Sequence, residues 1–206
     1  MMESLIDWIS SRSPFLLDCF RWILEAGFHG EKKVIQDEGL SDCKRILDLG
    51  CGTGILSDSL AKQQYTGIEL EAAFVRRAKR RFPFRSFVQM DARRLGFKEN
   101  IFDCVVISGV LHHLNDEDVR TILSECKRVL NKKSGKIVIW EDVPVRNKVN
   151  FIGSFVHSLD QGDHIRNESD YIDLFGSFFR KLKHYPMISG VCDYIVLVGT
   201  IQDENL

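Results

Sequence analysis

The pattern with the clearest chemical content in this chain is a run of alternating glycines. Gly50, Gly52 and Gly54 follow the apolar stretch 46–49. Glycine has no Cβ and adopts positive φ, so a ligand can approach its backbone closely. The apolar residues of 55–61 have helical spacing, which predicts a strand, a glycine loop and a helix in succession. We therefore expect a flat, polar cofactor on this loop, at the carboxyl edge of a sheet.

The spacing of the glycines separates three kinds of nucleotide-binding loop. A Walker loop requires Gly-Lys-Ser/Thr, whereas Ile55 and Leu56 follow Gly54 here. A dinucleotide fingerprint places its third glycine three positions after the second, which is Ile55 in this chain. The observed spacing favours a cofactor without a pyrophosphate.

The run from Asp48 to Gly54 resembles the first motif of the class I S-adenosylmethionine-dependent methyltransferases. In that motif an acidic residue and any residue precede Gly-x-Gly-x-Gly. Residues 65–69 predict a second strand that ends in Glu69, about 20 residues after the first glycine, where an acid accepts hydrogen bonds from ribose. Residues 102–108 predict a fourth strand, and the following stretch 109–114 is similar to the small-molecule (type 11) branch of the family. Together with Asp91, which follows a third predicted strand over 84–90, four motifs agree in order.

The resemblance implies S-adenosylmethionine as the cofactor and a set of residues that bind it. Glu69 is the ribose candidate, and Asp91 corresponds to the family's acidic residue at the adenine amino group. Each acid also has a purely structural interpretation. Asp48 can stabilise the amides of its own loop, Glu69 can be a strand-end carboxylate, and Asp91 can be a turn residue. The implied cofactor-binding residues are Asp48, Gly50, Cys51, Gly52, Gly54, Glu69, Leu70, Asp91, Ala92 and Ser108.

Histidines near the expected site are candidates for acid–base chemistry, because an unperturbed imidazole titrates near neutral pH. We single out His112, His113 and His164 as catalytic candidates, and His157 and Arg166 as substrate-binding candidates. The guanidinium of Arg166 can pair with a substrate carboxylate. The alternatives stay open: the paired histidines can simply close the pocket or bond backbone, and 151–166 can be an ordinary helix and turn.

The alternation of strand and helix patterns predicts a parallel α/β sheet. The resemblance extends this to a Rossmann-like, seven-stranded mixed sheet flanked by helices, with its last strand antiparallel. Helices are expected over 71–81 and 115–130, where Asn115 is a favourable N-cap. Residues 185–188 and 194–201 predict a terminal hairpin.

We interpret residues 1–206 as a single methyltransferase domain. A chain of 206 residues with 44% hydrophobic content suits one domain with a sizeable core. Apolar clusters interrupted by Ser-Pro and Gly make residues 1–40 an N-terminal helical cap. Residues 143–177 are the expected substrate-lid insertion.

Composition narrows the class of partner. The formal net charge is −1, which disfavours nucleic-acid substrates. Eight cations lie between Arg76 and Arg94; we favour a solvated helix face over an RNA-contacting one. The chain lacks the Asn-Pro-Pro-Tyr and Pro-Cys motifs of base-methylating branches.

The cysteines and the hydropathy of the chain indicate where in the cell we expect the protein to be located. The six cysteines form no CxxC pair, so we expect reduced thiols and no metal site. No run of about 18 apolar residues occurs, and we expect a cytoplasmic protein without stable membrane insertion. The sequence carries no signal for an oligomeric state.

The sequence therefore predicts in-line methyl transfer to a small-molecule acceptor. A lipidic or quinone-like acceptor is a subsidiary hypothesis, based on the apolar N-terminal helices. One alternative is a non-catalytic S-adenosylmethionine-binding regulatory or partner protein. Another is a nicotinamide-dependent reductase, which would bind NADH and not the methyl donor.

Overall fold

The computed structural model describes residues 14–60, 64–146 and 164–201, and the elements are numbered in chain order within them. The α-helices are α1 (Pro14–Leu24), α2 (His29–Asp37), α3 (Ala72–Arg81), α4 (Asp116–Val129) and α5 (Glu168–Gly176). The strands are β1 (Arg45–Leu49), β2 (Gln64–Glu69), β3 (Ser86–Gln89), β4 (Cys104–Ser108), β5 (Lys136–Asp142), β6 (Phe179–Ser189) and β7 (Cys192–Ile201). Short 3₁₀ turns occupy Leu40–Asp42 and Leu111–His113.

The seven strands form one mixed sheet in the order β3-β2-β1-β4-β5-β7-β6. Strands β1 to β5 are parallel, whereas β7 runs antiparallel to both of its neighbours, β5 and β6. The predicted Rossmann-like, seven-stranded sheet with an antiparallel last strand is confirmed. The order reverses between β1 and β4, so their carboxyl ends border a crevice of the kind in which α/β proteins bind ligands.

Both faces of the central strands are buried, because side chains alternate between the faces and helices cover each one. Leu47, Val105 and Ile137 pack with α4 and α5 on one face. Ile46 and Val106 pack with α2 and α3 on the other. This two-sided burial explains the nearly continuous apolar runs of β1, β4 and β5.

Helix α4 begins where the sequence predicts, because the Asn115 side chain accepts a hydrogen bond from the backbone N–H of Asp118 at 2.9 Å. Its inward face buries Val119, Ile122 and Cys126. Helix α3 was expected over 71–81 and spans Ala72–Arg81.

The helix expected directly after the glycine loop is not formed over residues 55–60, which make successive turns instead. Ser57 N–H donates to Gly54 O and Ser59 N–H to Leu56 O, both with a tighter spacing than an α-helix. Ser57, Asp58 and Ser59 are poor helix formers because their side chains compete for backbone groups. Residues 61–63 lie outside the described part of the chain.

Two ion pairs of Arg146 tie the exit of β5 to later elements. Its guanidinium lies 3.2 Å from Asp193 at the start of β7 and 2.6 Å from Glu168, the first residue of α5. The two ends of the stretch 147–163 are thereby held together. Among the described residues, no helix has the length and apolar content needed to cross a membrane.

Candidate active site

The glycine loop lies at the carboxyl end of β1, and its three glycines all have positive φ: 73° at Gly50, 53° at Gly52 and 75° at Gly54. A Cβ on Gly50 would lie 2.3 Å from Val110, and one on Gly54 would lie 2.7 Å from Phe87. A Cβ on Gly52 would meet nothing within 4 Å. The first and third glycines thus permit close packing within the protein, whereas Gly52 exposes backbone to open space.

Glu69, at the end of β2, lies directly beside Gly52. Its Oε2 accepts a hydrogen bond from the Gly52 N–H at 3.0 Å, and its Oε1 accepts one from the Glu71 N–H at 2.9 Å. The Ile68 carbonyl accepts from the N–H groups of Gly50 and Cys51. The structure therefore brings the expected ribose-binding carboxylate and the open glycine together.

Asp48 is buried in β1 and accepts a hydrogen bond from the Tyr65 hydroxyl at 2.6 Å. Burial raises the pKa of Asp48 to about 6, although the bond from Tyr65 opposes the shift. Burial also raises the pKa of the Cys51 thiol, so Cys51 stays protonated and is a poor nucleophile. The hydrogen-bond partner of the Asp48 side chain is Tyr65, whereas the loop N–H groups of Gly50, Cys51 and Gly52 bond Ile68 and Glu69.

Asp91, expected at the adenine amino group, follows β3 and binds Arg93. The Arg93 backbone N–H donates to it at 2.9 Å and the guanidinium at 2.8 Å. The side-chain hydrogen bond from Arg93 is the largest cause of a lowered Asp91 pKa. Arg93 also reaches Asp118 at 3.2 Å, which links this turn to α4.

The other expected cofactor residues lie at neighbouring strand ends. Leu70 follows β2 with its side chain 56% exposed, which is unusual for a leucine beside a buried strand. Ala92 follows β3 and is partly exposed, and Ser108 is the last residue of β4. These positions share the carboxyl edge of the sheet with Gly52 and Glu69.

A buried glutamate organises the turn that carries the paired histidines. Glu141 in β5 is completely buried, and its Oε1 accepts hydrogen bonds from the N–H groups of Val110 and Leu111, each at 2.9 Å. Its Oε2 lies 2.9 Å from Nδ1 of His112. The His112 and His113 rings are 4.0 Å apart between centroids. Sequence reasoning did not identify this role of Glu141.

The structure places His164 next to this turn and gives Arg166 a different set of partners. The His164 N–H donates to the His112 carbonyl at 3.1 Å, and its side chain is exposed. Arg166 is buried and donates to Asp116 and to the carbonyls of Leu111, Leu114 and His164. These bonds occupy the five guanidinium donors, so Arg166 serves to fix the histidine turn. His157 lies outside the described residues.

Asp18 of α1 is a further residue that sequence reasoning missed. Its Oδ1 accepts a hydrogen bond from the Thr53 hydroxyl, inside the glycine loop, at 2.5 Å. Its Oδ2 lies 3.0 Å from Nε of Arg77 and 3.4 Å from Nη1 of Arg81. Helix α1 is therefore attached to the glycine loop and to α3. The sequence signal is the single acid of a helix that, apart from Arg21, is otherwise apolar.

No group of three or more potential metal ligands occurs in the described ranges. The chemistry available at the carboxyl edge is thus an open stretch of backbone, a carboxylate beside it and imidazoles on the neighbouring turn.

Comparison with known proteins finds similarity to methyltransferases. A family profile described as "Methyltransferase domain" matches residues 46–133, from β1 to just beyond α4. A demethylmenaquinone methyltransferase from Thermotoga maritima is 30% identical over 109 residues, which are 51% of this chain and 46% of that protein. The chain spans about half the length of the curated relatives it matches.

Two solved structures show the same fold. A TehB-like S-adenosylmethionine-dependent methyltransferase from Corynebacterium glutamicum aligns with a TM-score of 0.67 and 21% identity, over 93% of this chain and 99% of that one. The N-methyltransferase NodS from Bradyrhizobium japonicum, in complex with S-adenosyl-L-homocysteine, aligns with a TM-score of 0.66 and 17% identity, over 84% and 86%. The resemblance based on residues 48–54 is confirmed.

Proposed function

We propose that this chain, in which residues 46–133 match a family profile described as "Methyltransferase domain", binds S-adenosylmethionine and methylates a small-molecule acceptor. The observation that carries the proposal is the open backbone at Gly52 beside the Glu69 carboxylate. No observation favours the alternative of a non-catalytic regulatory protein.

The loop fits the cofactor because a side chain at Gly52 would fill the space that a bound molecule requires. We expect Gly52 to contact the cofactor through its backbone and Glu69 to accept hydrogen bonds from the ribose hydroxyls. We further propose as cofactor-binding the residues Leu70, Asp91, Ala92 and Ser108 at the same edge of the sheet, and Asp48, Gly50, Cys51 and Gly54 in and before the loop. When bound, the cofactor supplies a methyl group that is already activated on a sulfonium.

The protein's contribution on the acceptor side is orientation and, for an acceptor that must lose a proton, a base. Among the candidates His112, His113 and His164, His112 has the best-defined geometry. In a neutral imidazole whose Nδ1–H donates to Glu141, the basic lone pair is on Nε2. A hydroxyl acceptor needs such a base, whereas an amine or thiolate needs less help.

We further propose residues 1–40 as a cap and 143–177 as a substrate lid of a single domain, with His157 among the substrate-binding residues. The contact of Asp18 with the glycine loop supports the cap. A cytoplasmic location is in keeping with the six free cysteines. The acceptor class, a small molecule rather than a nucleic acid, follows the named relatives.

Calorimetric titration with S-adenosylmethionine and S-adenosylhomocysteine tests the cofactor site. We expect both to bind. We expect Gly52→Val to lose binding, because the valine side chain would fill the space beside residue 52 that the cofactor requires. Gly39→Val is the matched control: Gly39 has φ 57°, and a Cβ there meets its nearest atom only at 4.0 Å. The control carries similar backbone strain outside the site and should keep full affinity. Equal affinity in Gly52→Val and the wild type would refute this placement.

An acceptor screen read by mass spectrometry tests the reaction. We expect the added mass of one methyl group on a small molecule, together with S-adenosylhomocysteine as product. Cofactor binding without turnover on any acceptor would favour the regulatory alternative. Binding of NADH without affinity for the methyl donor would identify a reductase.

A further inference from the structure

Helix α1 turns an apolar stripe outward. Phe15, Cys19, Trp22 and Ile23 follow the spacing i, i+4, i+7, i+8 and are all exposed, with 55% of Phe15, 58% of Trp22 and 69% of Ile23 accessible. Asp18 within α1 and Glu25 just after it are buried. An amphipathic helix normally packs its apolar stripe against the core. Here the stripe faces solvent.

A further exposed apolar residue lies on the hairpin that contacts the end of α1. The carbonyl of Leu24, the last residue of α1, accepts a hydrogen bond from the Val191 N–H in the turn between β6 and β7. Ile188, just before this turn, is 66% exposed. Since single exposed apolar residues are common but clusters of them mark interaction sites, this edge of the molecule is a candidate docking surface.

Helix α3 supplies a positive charge beside the stripe. It contains five cations and no acidic residue between Ala72 and Arg81. Arg77 lies 5.2 Å above the ring of Phe15, so the two helices adjoin at this point. Arg77 and Arg81 pair with Asp18, whereas Arg76 and Arg80, on the next row of α3, are exposed to solvent.

We propose that the α1 stripe and the exposed arginines of α3 form a docking surface for an anionic phospholipid membrane. Apolar and aromatic side chains flanked by cations are the pattern of helices that lie in the membrane interface. A second copy of the chain would bring the same arginines against these ones, so charge favours the lipid. The formal net charge of −1 does not oppose this, because screening limits the interaction to the charges nearest the surface.

This inference goes beyond the proposed function, because docking requires neither cofactor nor acceptor. The surface lies next to the candidate site, since Asp18 joins α1 to Thr53 in the glycine loop. Docking also differs from membrane insertion, which the described helices are too short or too polar to achieve.

Vesicle flotation of the full chain, without cofactor, tests the surface. We expect binding to vesicles of equal parts phosphatidylglycerol and phosphatidylcholine, weakened by salt, and little binding to phosphatidylcholine alone. The double variant Trp22→Ser, Ile23→Ser should lower the anionic-vesicle partition coefficient about tenfold or more. Arg76→Glu combined with Arg80→Glu should lower it to a similar extent.

Matched controls are exposed residues that belong neither to the stripe nor to α3. Phe84, which precedes β3, is completely exposed, and Lys132 and Lys133 are exposed before β5. We expect Phe84→Ser, and Lys132→Glu with Lys133→Glu, to bind as the wild type does. Circular dichroism and thermal unfolding verify that every variant is folded.

Three outcomes would overturn the proposal. The stripe variant could float with anionic vesicles as well as the wild type does, or the wild type could fail to float. Alternatively, sedimentation could show a dimer that Trp22→Ser dissociates, with no vesicle binding, which would identify a second copy as the occupant. Loss of docking leaves cofactor binding testable by calorimetry, so the two proposals fail independently.

Discussion

Glu69 has two roles at the scale of single residues. Its carboxylate oxygens already accept hydrogen bonds from the N–H groups of Gly52 and Glu71, which fixes the glycine loop against the end of β2. A carboxylate oxygen has more than one lone pair, so these bonds leave capacity for ribose hydroxyls. The residue that shapes the loop is thus also the one that we expect to recognise the cofactor.

Replacement of Glu69 by alanine tests the contribution of this residue to cofactor binding. We expect Glu69→Ala to cost about 1.5–3 kcal/mol of S-adenosylmethionine affinity, because a charged acceptor of hydrogen bonds is removed. Calorimetry measures the loss. Glu71→Ala, two residues further and exposed, is the control and should bind normally. A near-zero effect of Glu69→Ala would remove this residue from the site.

The identity of the loop glycines as site residues could be predicted from sequence. The separate structural reason why each position requires glycine could not. The spacing of Gly50, Gly52 and Gly54 is visible in the chain itself. That Val110 and Phe87 occupy the space beside the first and third is a matter of tertiary packing. The same limit explains why Asp18 and Glu141 were missed: Thr53 is 35 residues from Asp18, and His112 is 29 from Glu141.

The turn Leu111–His113 shows at the scale of elements how a short segment acquires a fixed shape. Glu141 binds its N–H groups from β5, and Arg166 binds the carbonyls of Leu111 and Leu114 from the stretch before α5. Both contacts compensate backbone groups that a turn cannot pair by itself. The paired histidines are therefore held from two sides.

Replacement of Arg166 by lysine tests this role. Lysine cannot reproduce the planar set of donors, so we expect Arg166→Lys to lower the free energy of unfolding by about 2–4 kcal/mol. Urea denaturation measures the change. Arg120→Lys, at an exposed position of α4, is the control and should be nearly neutral. Unchanged stability, with a raised KM only for carboxylate acceptors, would instead support the substrate-binding prediction.

Elements with strong local signals could be predicted, and those that depend on context could not. Strands β1 and β4 are short and mostly apolar, and α4 has both an N-cap and a clear stripe. The turns of residues 55–60 carry helical apolar spacing but contain residues that favour turns. Helix α5 was not predicted as a separate element within the expected lid. Its burial depends on contacts with β6, which comes later in the chain.

Glu31 links the N-terminal helices to the far end of the sheet at the scale of the whole molecule. It is buried in α2 and contacts the Ser189 hydroxyl at the end of β6. Burial, with hydrogen bonding to Glu25 as the next cause, raises the pKa of Glu31 to about 8. A proton on this carboxyl therefore accompanies the docking of α2 on the sheet.

The sign of the resulting pH dependence follows from linkage. The folded state binds more protons than the unfolded state between the ordinary pKa of a glutamate and about 8, so stability falls as pH rises through this window. We expect Glu31→Gln to flatten this decline and to be more stable than the wild type by about 2–4 kcal/mol above it. Urea midpoints across the window measure the difference. Glu117→Gln, exposed in α4, should keep the wild-type slope, and an identical slope in Glu31→Gln would contradict the assignment.

The ion pair between Arg146 and Glu168 has a consequence for how such a scaffold diversifies. With both ends of the stretch 147–163 fastened to the sheet and to each other, the entropy of closing the loop grows only slowly with its length. We therefore expect changes of length between residues 146 and 164 to leave the strands undisturbed. Under the lid proposal, exchange of this segment alone is a route by which related chains acquire new acceptor preferences.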